Sequence, residues 1–149
     1  MRQYNLTPPQ RKNYCVPSCL QAILRKHNAE VSQDKIANVL IKKENGFIPE
    51  GKMLEEFLKQ KELLYNFYWY NKTPFNEPDS LLEFNPNKDI LIGLDEHCFL
   101  CLDYQENRII LLNPNDISMK EINHHDILKR MHEAKSGFFG LMSRIKNQL

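Results

Sequence analysis

Residues 97–113 read HCFLCLDYQENRIILLN. Two apolar runs, His97 to Tyr104 and Arg108 to Leu112, carry the aromatic and branched aliphatic side chains that suit a pleated surface, and only Gln105, Glu106 and Asn107 separate them. So short a polar link predicts an antiparallel hairpin. Its register has two solutions. A link centred on Glu106 pairs residue 113 with 99 and leaves Asn113 and His97 on one face as diagonal neighbours, whereas a two-residue turn at Glu106 and Asn107 sends them to opposite faces.

Outward from this hairpin, Ile90 to Leu94 and Phe138 to Met142 also read as strands, and Leu64 to Tyr70 is an aromatic, strand-like run. Asn123 can cap a helix to about Ala134 with Ile127, Leu128 and Met131 inward. A Pro- and Asn-rich stretch from Asn71 to Pro86 has room for a short helix near Leu81. Upstream the period changes to that of a helix. Leu20, Ile23, Leu24 and His27 recur at three- and four-residue steps with Pro17 in the first turn. Ser32 can cap a second helix ending around Lys43, a loop spans Asn45 to Gly51, and Met53, Leu54, Phe57 and Leu58 mark a third helix. Pro8 and Pro9 make the first dozen residues an extended arm. Helices first and strands later predict an α+β domain, a helical N-terminal half packed on a C-terminal antiparallel sheet. With no repeat or linker, residues 1–149 are expected to form one domain.

Twenty basic and nineteen acidic residues are interspersed, so the chain has no electrostatic footprint for nucleic acid or an anionic membrane. It has no spanning segment and no apolar signal near its start, which predicts a cytoplasmic protein, or one exported without a signal peptide. The four cysteines, Cys15, Cys19, Cys98 and Cys101, then read as core, metal or catalysis. Two pairs suggest zinc, but residues three apart on a strand point to opposite faces, so Cys98 and Cys101 cannot grip one ion without a turn between them. Cys15 differs because it stands at a helix start, where unpaired N–H groups stabilise a thiolate. A free thiol titrates near ~8.5, and such a setting beside an imidazolium can lower that to about 3.5–7.5. Of the five histidines, His97 heads an apolar strand, while His27, His124, His125 and His132 read as surface or boundary residues on helices. Asn113 can orient the imidazole, and Gln10 can donate an amide N–H to an oxyanion. Read alone, each has a plainer role, Asn113 as a loop residue before Pro114 and Gln10 as a surface side chain.

The segments CVPSCLQAIL at 15–24, HCFLCLDY at 97–104 and LLNPN at 111–115 resemble, in their order along the chain, those of papain-like cysteine peptidases of the bacteriocin-leader-processing type and their stand-alone relatives. The resemblance covers most of the chain. It implies that Cys15 is the nucleophile, His97 the general base, Asn113 the orienting residue and Gln10 the oxyanion donor. The chain departs from the family in three places: Val16 replaces a glycine, Asn113 replaces the aspartate commoner in this branch, and Gln10 is one residue nearer the cysteine. The implied activity is hydrolysis of a peptide or protein amide through a Cys15 acyl-enzyme, with no metal or organic cofactor. Two rivals are an acyltransferase or deamidase using the same Cys–His pair, and a non-catalytic binding or zinc module.

Overall fold

The computed structural model describes residues 1–72, 88–105 and 108–145. Helix α1 (Cys15–Lys26) shows how pattern becomes packing: Leu20, Ile23 and Leu24 are fully buried on one stripe, and Arg25 and Lys26 suit the negative end of its dipole. Ser32 caps helix α2 (Gln33–Ala37) by accepting from the Lys35 N–H, and helix α3 (Lys52–Gln60) turns Leu54 and Leu58 inward. The strands are β3 (Leu63–Trp69), β4 (Lys88–Leu94), β5 (His97–Gln105), β6 (Arg108–Leu112), β7 (Met119–Asn123) and β8 (Phe138–Arg144). They form a six-stranded antiparallel sheet in the order β3-β8-β4-β5-β6-β7. Helix α4 (His124–Ala134) starts at Asn123, whose side chain accepts from the Asp126 N–H.

Period-two alternation gives the sheet two buried faces. Leu91, Leu100 and Ile110 pack with α1, α2 and α3, while Ile92, Ile109 and Leu111 pack with Ile127 and Met131 of α4. The described residues are thus α+β, with the N-terminal helices on one face of the sheet and α4 on the other. No helix among the described residues is long and apolar enough to cross a membrane.

Several expectations need correction. The second helix stops at Ala37 because Val39 and Leu40 close tight i+3 bonds to Ile36 and Ala37, and Ile41–Lys43 then becomes strand β1, paired with β2 (Gly46–Ile48) where a loop was expected. Strand β7 was not foreseen, because at the sheet edge MKEIN has no buried residue and so no alternation. His27 is a boundary residue, half-buried at the end of α1, with its Nε2 2.8 Å from the carboxylate of Asp89, a fully buried group also held by Tyr4 and Lys26. His124, by contrast, is buried, and it bonds the Tyr104 hydroxyl. The helix expected near Leu81 lies outside the described residues.

The arm is extended and strapped down by the buried amide of Gln33, which donates to the carbonyls of Thr7 and Pro8 and to Gln21 Oε1, and accepts from the Gln10 N–H at 2.9 Å. Gln33→Ala is therefore expected to cost about 2–4 kcal/mol, since several buried partners lose their bonds at once. Urea unfolding checks this: the midpoint should fall with little change in slope, and the arm should become the first site of proteolytic nicking.

Candidate active site

Helix α1 sets Cys15 at its first position, and the N-cap Tyr14 makes no side-chain bond to the helix N–H groups. The first turn borders a cleft of about 810 Å³, whose lining includes Cys15, His97, Asn13, Trp69, Gly93 and Phe138. The thiol is half-buried.

His97 reaches the same cleft from the sheet. The register pairs Leu94 with His97, so β4 turns into β5 through Asp95 and Glu96 alone, and both have positive φ, 54° and 60°. Such a turn matches strand twist but favours asparagine or glycine, so two acidic residues in it hold backbone strain directly beside the imidazole. Arg130 of α4 pairs with Asp95 and steadies the turn. The Phe99 ring meets the His97 ring edge-on at 4.7 Å.

Asn113 arrives by a route that the hairpin's sequence left open. Gln105 pairs with Arg108, which leaves two residues between them and should put Asn113 and His97 on opposite faces. A bulge at Leu102 shifts the register by one, so that Cys101 pairs with Leu111 and Leu100 with Leu112. Continued one step, that register sets Asn113 against Phe99, and His97 becomes its diagonal neighbour. His97 Nε2 lies 2.8 Å from Asn113 Oδ1. Because Oδ1 also accepts the Asn115 N–H at 2.9 Å, it is fixed as an acceptor, Nε2 carries the proton, and Nδ1 is left for the hydrogen bond with Cys15. That Cys15 bond raises the imidazole above the ordinary histidine range, against the burial that lowers it. The Asn113 bond and the charges of Cys15 and Asp116 add to the rise.

Cys15, His97 and Asn113 are therefore brought together. Gln10 is not: its side chain is exposed, its N–H is committed to Gln33, and it does not line the cleft. Asn13 does line it, held at φ 67° against the β1–β2 hairpin at Gly46. Val16 points into the core, 3% exposed. Cys19 and Cys98 are buried and hydrogen-bonded to each other, which with burial pushes the Cys98 thiol up. Cys101 faces the other side of the sheet, where burial takes its thiol to about 12. Among the described residues, no cluster of histidine, cysteine and acidic side chains is arranged to hold a metal ion. Asn13 escaped the sequence reading, because it stands in no periodic element and only the path of a loop brings it to the cleft.

This fold is that of papain-like peptidases of the double-glycine type. A double glycine motif protease from an AMS/PCAT transporter, solved in complex with the leader peptide, superposes with a TM-score of 0.63 at 12% identity, over 95% of this chain and 92% of that one. The peptidase domain of Streptococcus ComA, a bifunctional ABC transporter of a quorum-sensing pathway, gives a TM-score of 0.62 at 11% identity, over 95% and 99%. No family model matches the sequence, and no curated protein matches it.

Proposed function

We propose that the protein is a cysteine peptidase that cleaves a peptide amide through a Cys15 acyl-enzyme. The observation that carries this reading is the Cys15–His97–Asn113 chain of hydrogen bonds, set at a helix N-terminus in a cleft of a peptidase fold. The Cys15 thiolate attacks the carbonyl carbon, and His97 protonates the leaving amine and then takes a proton from the water that releases the acid. Asn113 keeps the ring turned so that Nδ1 faces sulfur throughout. The Cys15 backbone N–H binds the oxyanion, and Asn13 in the cleft takes the second donor position that the resemblance implied for Gln10. A peptide or protein is the substrate; Trp69 and Phe138, with Phe67 packed on both, form an apolar wall beside the reacting atoms.

The test is digestion of an unstructured peptide mixture in heavy-oxygen water, read by mass spectrometry. New carboxyl termini carrying the label are expected, and Cys15→Ala should reduce their rate by at least about 10³. Labelled termini formed equally fast by the variant would refute the nucleophile. Amine adducts or ammonia in place of labelled acids would instead identify a transferase or deamidase.

A further inference from the structure

We propose that Asp34 of α2 is a positioning residue for the oxyanion site: its carboxylate clasps both ends of the turn 11–14 and so sets Asn13, which lies between them, at the cleft. This rests on the peptidase reading, in which Asn13 is the second oxyanion donor, and deepens it.

The geometry begins with the turn itself. Tyr14 N–H donates to the Arg11 carbonyl at 3.3 Å, and Asn13, the third residue of the four, has φ 67°, a conformation that asparagine tolerates. Arg11 Nε donates to Asp34 Oδ1 at 2.8 Å and its Nη2 to Oδ2 at 3.3 Å, a forked pair. The Tyr14 hydroxyl donates to the same Oδ1 at 2.8 Å. The first and last residues of the turn are thus tied to one group outside it, and the two between them, Lys12 and Asn13, both line the cleft. The neighbour of Asp34 in α2, Gln33, accepts the Gln10 N–H just before the turn, and Cys15 opens α1 just after it. The turn that carries the donor therefore joins α2 to the helix that carries the nucleophile.

An oxyanion donor works only where its aim is held to a fraction of an ångström, and a side chain in a loop gets that precision from the groups that brace the loop. Burial does not brace this one, since Arg11, Lys12 and Asn13 are all exposed. Two contacts meet it from the β1–β2 hairpin: the Tyr14 ring stands edge-on to Phe47 at 5.4 Å, and the Asn13 backbone lies against Gly46. The polar clasp supplies the rest. The bonds from Arg11 and Tyr14 hold the Asp34 carboxyl below the usual carboxylate range, so the clasp stays charged at neutral pH.

The experiment compares two reactions of Cys15 in a double-mutant cycle between positions 34 and 13. Peptide hydrolysis passes through an oxyanion; alkylation by iodoacetamide displaces iodide from a saturated carbon and forms none. Asn13→Ala is expected to slow hydrolysis by about 10²–10³, the cost of one oxyanion donor, and Asp34→Ala by roughly tenfold, a part of that loss. Alkylation should keep its wild-type rate in both. In the Asn13→Ala background, Asp34→Ala should add nothing, because the group it positions is gone. Tyr14→Phe, which breaks one bond of the clasp and keeps the ring, should show a smaller loss of the same kind. An Asp34→Ala enzyme that hydrolyses at the full rate, that loses the same factor in both backgrounds, or whose alkylation slows as much as its hydrolysis would overturn the assignment. Full hydrolysis by Asn13→Ala would instead overturn the oxyanion role of Asn13, and hydrolysis that persists in Cys15→Ala the peptidase reading beneath it.

Discussion

His97→Ala is expected to reduce peptide hydrolysis by roughly 10²–10⁴, the usual contribution of a positioned acid–base group. Iodoacetamide labelling of Cys15 separates the chemistry from substrate binding. The variant lacks the imidazolium that stabilises the thiolate, so labelling near pH 6 should slow on the order of 10²-fold and converge with wild type in alkali. On the alkaline side the sign follows from the raised imidazole. The protonated ring supplies the leaving-group proton, so hydrolysis persists until the pH passes through that raised value and falls beyond it. Equal labelling of both proteins at every pH would show that the ring and the sulfur do not act as a pair. His97 stands at a strand end on the cleft rim, so the variant should keep its fold by circular dichroism.

The second large effect is on stability. Gly137 lies between α4 and β8 with φ +126°, and a Cβ there would stand 2.6 Å from Met131 Cγ and 2.9 Å from the Gly93 carbonyl oxygen. Gly137→Ala thus combines a disfavoured backbone with overlap against a main-chain atom that cannot retreat. The expected cost is about 2–4 kcal/mol, or about 5–15 °C in Tm for a chain of this size. Differential scanning calorimetry checks it; an unchanged Tm would mean that the segment has slack. The same oxygen belongs to Gly93, on whose surface the Phe138 ring rests, so the strain reaches the cleft wall.

Legibility followed the reach of the interactions. The stripe of α1, the caps at Ser32 and Asn123 and the strands around His97 depend on side-chain period and neighbours in sequence, and the chain shows these directly. The β1–β2 hairpin and β7 were hidden because they bury little, and a strand with no buried face has no alternation to read. His124 looked like a surface or boundary residue because its partner, Tyr104, comes from a remote strand. In the site, Cys15 and His97 carried local signals, a helix start and a strand head. Asn13 did not, since a turn of the backbone rather than a repeat sets where it stands.

The one-residue slip at Leu102 also separates two jobs along a single ribbon. The half nearest His97 sets Asn113 beside the ring, while the far half pairs Gln105 with Arg108. Extra residues grafted between those two should leave the pairing of Leu100 with Leu112 untouched, whereas deleting Leu102 would turn Asn113 away from the ring. The distal end of this ribbon is where the molecule can accept foreign sequence, and the slip is the place where a single lost codon would silence it.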